Sequence, residues 1–153
     1  MKKLIYLTFL LSITIFTCNA QNTTQLQHKY DFMSCEFELF KIQSDLNNLA
    51  QNIDIKTNAL QHNIYNGIYD NRLYNACVSN RNACSDNFNS LKDLYKIKEE
   101  YVLLKMSTSN FTDTEINVLR AYFSVIDSVI TNVERSLEIY DVVIQMYNAK
   151  RRY

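Results

Sequence analysis

The cysteines carry the most reactive side chains in this 153-residue chain, which has four of them. Cys77 and Cys84 lie in a stretch rich in Asn and Ser, which predicts a short helix over 68–78 and a loop over 79–82. With that loop the two thiols can meet, whereas one continuous helix would separate them by about 10 Å along its axis, too far for a bond. We therefore predict a Cys77–Cys84 disulfide. Cys35 lies in an apolar helical stripe, so we expect a buried thiol, with an intermolecular disulfide as the alternative.

Other groups that could do chemistry are isolated. His62 has no Cys, His or Asp three or four residues away, and His28 has only Asp31, too few for a metal site. The adjacent Glu99 and Glu100 point apart on a helix. A single glycine excludes phosphate-cradling and dinucleotide-binding loops. There is no nucleophile motif and no Cys-x-x-Cys motif. We expect no catalytic residue, no metal site and no cofactor, and therefore no enzyme.

The first twenty residues have the pattern of a secretory signal peptide. A basic start, Lys2-Lys3, precedes an apolar run over 4–16 and small or polar residues up to Ala20. Cleavage after Ala20 predicts export to the periplasm of a Gram-negative bacterium or secretion, with no membrane span in the mature chain. The alternatives are a membrane anchor, for which the run is short, and a lipoprotein signal with Cys18 as the acylated residue.

Charge argues against nucleic-acid binding. The whole chain has 16 basic and 16 acidic residues, and loss of Lys2 and Lys3 with the signal leaves 14 against 16, a net charge of −2. Nucleic-acid-binding domains are usually basic. The basic tail Lys150-Arg151-Arg152 fits the C-terminus of a helix, where positive charge is favourable.

One glycine and no proline are typical of long helices. Over 26–68 most steps between the apolar residues are three or four, which predicts one buried helical face. Asn66-Gly67 predicts the turn that ends this helix. That face comprises Tyr30, Met33, Phe37, Phe40, Leu46, Leu49, Ile53, Leu60 and Ile64. Regular spacing resumes at Phe88 and predicts a second helix to about Met106, followed by a loop over 107–110.

Thr112 to Glu115 forms a capping box at the start of the last helix. The Thr112 hydroxyl can accept from the Glu115 amide, and the Glu115 carboxylate can accept from the Thr112 amide. Phe111 and Ile116 flank the box as a hydrophobic staple, and Asp113 suits the positive end of the helix dipole.

A packing seam follows the cap. Ten apolar residues alternate steps of three and four, which predicts a helix of about 50 Å with a heptad pattern. They are Ile116, Leu119, Phe123, Ile126, Ile130, Val133, Leu137, Tyr140, Ile144 and Tyr147. Valines beside the seam widen it, so we predict an intramolecular bundle of three to four helices, with elongated self-assembly through the seam as the alternative.

The segment Asn110-Phe111-Thr112-Asp113-Thr114-Glu115-Ile116, with the helix behind it and the Ala-Gln signal end, resembles a known group. This group is the exported helical proteins of bacterial conjugal-transfer operons, periplasmic accessory or minor-pilus-type components of type IV secretion systems. The resemblance covers about forty residues. It implies protein partners in the cell envelope and no catalytic residues.

Taken together, the sequence predicts a signal peptide over 1–20 and a single all-α domain over 21–153, an elongated helical bundle. The expected function is that of a non-enzymatic interaction or structural component of a cell-envelope machine, with conjugal transfer the favoured one. The alternatives are a small secreted binder, inhibitor or effector, and a self-assembling coiled-coil protein.

Overall fold

Residues 2–151 form three long helices, each of which runs antiparallel to the one before it. The computed structural model describes the backbone of residues 2–151 and the side chains of residues 23–151. The helices are α1 (Lys2–Tyr65), α2 (Asn71–Thr108) and α3 (Asp113–Arg151). The predicted all-α bundle is confirmed. The predicted signal peptide, 1–20, and Cys18 lie outside the residues whose side chains are described.

Contacts between charged and polar side chains show the direction of the helices. Asp31 of α1 pairs with Lys105 near the end of α2, so α2 runs back along α1. His28 of α1 pairs with Glu115 at the start of α3, so α3 runs parallel to α1. Over the range 23–151, no helix is long and apolar enough to span a bilayer.

The turn between α1 and α2 forms at Gly67, as the sequence predicts. Gly67 has a φ of 67°, and the amide of Ile68 donates to the Asn63 carbonyl over 2.9 Å, a Schellman closure of α1. Asp70 then caps α2 by accepting from the Arg72 amide at 2.9 Å. The Tyr147 hydroxyl of α3 accepts from the Asp70 amide at 2.7 Å. The first connection is therefore fastened to the last turns of α3.

The connection between α2 and α3 contains the predicted capping box. The Thr112 amide donates to the Glu115 carboxylate at 2.8 Å, and the Glu115 amide donates to the Thr112 hydroxyl at 3.3 Å. Phe111 is buried and meets the rings of His28 and Phe32 of α1 edge-on. The start of α3 is thus held both by its own cap and by α1.

The α3 seam lies in the core of the bundle. Seven of its ten residues are buried, namely Leu119, Ile126, Val133, Leu137, Tyr140, Ile144 and Tyr147. The other three, Ile116, Phe123 and Ile130, are partly buried against them. These side chains pack within the chain against the core that α1 and α2 share, which is the arrangement that the bundle interpretation predicts.

The predicted Cys77–Cys84 disulfide is wrong. The loop expected over 79–82 is helical, because α2 continues without a break from Asn71 to Thr108. Both cysteines are free and buried, seven residues apart on one helix, which is the separation that cannot be bridged. Both thiols lie near Tyr140 of α3, whose hydroxyl pKa is raised by burial and by the neighbouring Cys77 thiol. This segment is a packed part of the core.

Cys35 is a fully buried thiol, as predicted. Burial raises its pKa, which keeps it in the unreactive protonated form. A buried thiol cannot reach a second chain, so the intermolecular disulfide through Cys35 is also excluded in the folded protein.

Candidate functional site: an exposed apolar stripe on the first helix

A stripe of large apolar side chains on α1 faces away from the rest of the protein. Its members share wide exposure and follow each other at steps of four, three, four and three. They are Leu26 (69 % exposed), Tyr30 (68 %), Met33 (56 %), Phe37 (64 %) and Phe40 (56 %). We call this surface the α1 stripe. Four of its five residues belong to the face that the sequence predicts to be buried, so that part of the prediction is wrong.

The core of this part of α1 is built from a second set of residues on the opposite face. Cys35, Leu39, Ile42 and Leu46 are all 1 % exposed or less. At about 100° per residue, Phe37 lies about 200° around the helix from Cys35. This half of α1 therefore carries apolar residues on two opposite faces, and a three-helix bundle covers only one of them.

The stripe ends where the outward face of α1 becomes polar. After Phe40 the positions in line with it are taken by Asn47, Asn48 and Gln51, which are exposed. Ile55, 69 % exposed, is a single apolar residue farther along the same face. The apolar surface is thus confined to residues 26–40, next to the end of the described side chains.

Side-chain contacts on both sides hold α1 in this orientation. Toward α2, Lys98 contacts Glu38 and Lys105 contacts Asp31, each at 3.1 Å, and the hydrogen bond from Lys105 lowers the pKa of Asp31. Toward α3, the Nε2 atom of His28 lies 3.2 Å from the Glu115 carboxylate. Rotation of α1 to bury the stripe would break these contacts and expose the core face.

Three charged residues border the stripe. Lys29 and Glu36 precede Tyr30 and Phe37 and lie along the edge toward α3, whereas Lys41 follows Phe40 on the opposite edge. Glu36 is half-buried and lies near Tyr122, whose pKa is raised by burial first and then by this carboxylate. Both lysines are exposed.

The apolar surface continues onto α3. Val118 and Val125 are 36 % and 43 % exposed and lie four residues before and three after Tyr122, on the face of α3 that meets Glu36. The five stripe side chains alone expose an area on the order of 600 Å², at the upper end for the largest apolar patch of a monomer. Patches of this size usually mark an interaction site.

A cleft lies at the foot of the bundle, beside the stripe. It has a volume of about 420 Å³, and its lining includes Gln27, His28, Asp31, Ser109, Asn110 and Thr112. Asp31 and His28 are already engaged with Lys105 and Glu115. In the part of the chain with described side chains, no three His, Cys, Asp or Glu residues gather as metal ligands.

The residues singled out from the sequence have structural positions. Thr112 and Glu115 close the cap of α3, Cys77 and Cys84 pack in the core, and the seam joins α3 to the other helices. Sequence reasoning missed the α1 stripe as a surface. The regular spacing of the stripe is visible in the sequence. Residues 32, 35, 39 and 42 form a second apolar face of equal regularity, and the spacing alone does not tell which of the two faces is buried.

Comparison with known proteins adds no relative: no family model, no curated protein and no solved structure matches the chain.

Proposed function

We propose that this protein is a non-enzymatic interaction component that docks onto another protein chain through the α1 stripe. The observation that carries the proposal is the alignment of five large apolar side chains, each more than half exposed, on one face of a rigidly held helix. A helix that presents residues at these intervals is a common way of filling an apolar groove or pairing with a second helix.

The anchors of such an interface are the aromatic residues. Tyr30, Phe37 and Phe40 are large, have few rotatable bonds and lie in the middle or at the end of the stripe. Buried aromatic side chains contribute most of the binding energy in many interfaces. The ion pairs of Asp31 and Glu38 with α2 hold the helix in place before binding, which reduces the entropic cost of docking.

The proposal includes the cell envelope as the place of action. Two sequence features support this location: the signal-peptide pattern of residues 1–20 and the resemblance of residues 110–116 to exported conjugal-transfer proteins. In this form the protein is a periplasmic or secreted component of an envelope machine, with type IV secretion as the favoured machine.

Site-specific cross-linking in the native cell tests the proposal. A photoreactive residue replaces Met33 in the stripe or, as the matched control, exposed Ile55 on the same helix face, and captured proteins are identified by mass spectrometry. We expect adducts from position 33 and few from position 55. Equal capture at both positions, or none at position 33, would contradict docking through the stripe.

The identity of the captured proteins tests the location. Several envelope or secretion components would support the envelope machine. A single soluble partner, with no envelope protein, would replace that part of the proposal with the secreted binder, inhibitor or effector.

A further inference from the structure

We infer that the occupant of the α1 stripe is a second copy of this chain, so that two bundles pair back to back through their first helices. This inference rests on the proposed function and names the partner at the same surface. Three properties of the stripe support it: its spacing, the charges on its edges and its area.

The spacing is that of a helix which pairs with another helix. Steps of four, three, four and three from Leu26 to Phe40 keep the apolar side chains on one line, as in the a and d positions of a two-stranded coiled coil. The line runs straight along α1 for about four turns. The stripe of a second chain has the same repeat, so the side chains of each stripe can insert between those of the other.

The edge charges are self-complementary. If two stripes pack antiparallel with Tyr30 opposite Met33, Glu36 of each chain lies beside Lys29 of the other. If they pack parallel, Glu36 lies beside Lys41 instead. In both arrangements an acidic residue meets a basic residue twice, by symmetry. Opposite charges at these edge positions favour pairing and select its direction.

The area is sufficient for a weak dimer. Two stripes of this size bury on the order of 1,200 Å² between them, at the lower limit of specific interfaces, and Val118 and Val125 can add to it. This predicts reversible association with a dissociation constant on the order of micromolar.

A lipid surface is a less suitable occupant. Helices that lie on membranes have a polar face rich in Lys and Arg. Here the residues around the stripe have mixed charge, with Asp31, Glu36 and Glu38 as well as Lys29 and Lys41. The charge pattern therefore favours a protein partner that places opposite charges next to these residues.

Analytical ultracentrifugation tests the inference. It uses the protein as purified from cells, and mass spectrometry identifies its N-terminal residue. We expect a monomer at low concentration and a dimer at about 100 µM. Phe37→Glu should raise the dissociation constant at least tenfold, because it places two charges in the interface. Ile55→Glu, a matched change at an exposed site outside the stripe, should leave it unchanged.

The circular dichroism of Phe37→Glu should equal that of the unaltered chain, since Phe37 makes no part of the core. A dimer that persists in this folded variant, or a chain that remains monomeric at every concentration, would overturn the inference.

Charge reversal tests the pairing itself. Lys29→Glu should weaken an antiparallel dimer severalfold and Lys41→Glu a parallel one, because each change brings an acidic residue against Glu36. One of the two variants should respond. Unchanged dimerisation in both would overturn the charge-paired arrangement.

Failure of this inference differs from failure of the proposed function. A monomer in solution whose position 33 still captures a different protein in the cell overturns the second copy and retains docking through the stripe. Loss of both association and capture overturns both.

Discussion

The α3 seam and the α1 stripe have the same sequence pattern, but the seam is buried and the stripe is exposed. Both are lines of large apolar residues at alternating steps of three and four. Ile126 in the seam is completely buried, whereas Phe37 in the stripe is 64 % exposed. Residues 26–40 of α1 have two apolar lines, and the bundle covers only the one that contains Cys35 and Leu39. Periodicity therefore identifies faces that can be buried, and the partners available decide which of them is.

The largest expected effect comes from placing a charge in each line. Ile126→Asp should abolish cooperative folding, because an unpaired carboxylate in the core costs more than about 4 kcal/mol of the free energy of unfolding. Phe37→Asp should change that free energy by no more than about 0.5 kcal/mol in dilute solution. Thermal unfolding followed by circular dichroism measures both. Unfolding of both variants would break the comparison, since it would show that the stripe is part of the folded core.

Two adjacent residues sharpen the comparison within α1. Leu39 is completely buried and Phe40 is 56 % exposed. Leu39→Ala should reduce the free energy of unfolding by about 2–5 kcal/mol, through lost burial and a cavity. Phe40→Ala should reduce it by less than about 0.5 kcal/mol. Urea denaturation of dilute protein gives both values. A larger loss for Phe40→Ala would mean that α1 packs by the face which the sequence alone predicts.

The cap at the start of the seam should contribute a smaller amount. Thr112→Ala removes the oxygen that accepts from the Glu115 amide and should cost about 1 kcal/mol. Thr114→Ala, in the first turn of the same helix, is the matched control and should be nearly neutral. Urea denaturation compares the two variants. Equal losses at both positions would show that the cap is not what stabilises this end.

The smallest effect concerns Glu115, which joins the seam to the foot of α1. Hydrogen bonds from Thr112 first, and then the nearby His28, lower the pKa of Glu115 below its ordinary value of 4.5. A carboxyl with a lowered pKa stabilises the fold above pH 4.5 and loses that contribution as the pH falls through its folded value. Glu115→Gln retains a capping group but does not titrate.

We therefore expect the melting temperature of Glu115→Gln to fall less than that of the unaltered chain as the pH is lowered from 7 to below 4.5. Glu100→Gln, at an exposed position outside the cap, should follow the unaltered chain. A parallel fall in all three proteins would mean that other groups control the acid response.

Several elements were predictable because their causes are local. Gly67 ends α1 through a left-handed conformation that the absence of a Cβ atom permits. Thr112 and Glu115 satisfy backbone groups three residues away. The α3 seam was predictable because its spacing stays regular over ten apolar positions. The helical conformation of residues 79–82 was not predictable from their polar composition. Polar residues there suit the exposed face of a helix whose other face packs Cys77 and Cys84 in the core.

The sequence by itself determined the helical class, the turn at Asn66-Gly67, the start of α3 and the face of α3 that enters the core. Each of these depends on backbone preferences or on one long, regular apolar line. Only the tertiary structure decided that α2 is continuous, that Cys77 and Cys84 remain free, and which face of α1 is buried. Those outcomes depend on contacts between helices far apart in the chain. Leu26, Tyr30, Met33, Phe37 and Phe40 are exposed because α2 and α3 are held on the opposite face, by packing and by Lys98, Lys105 and Glu115.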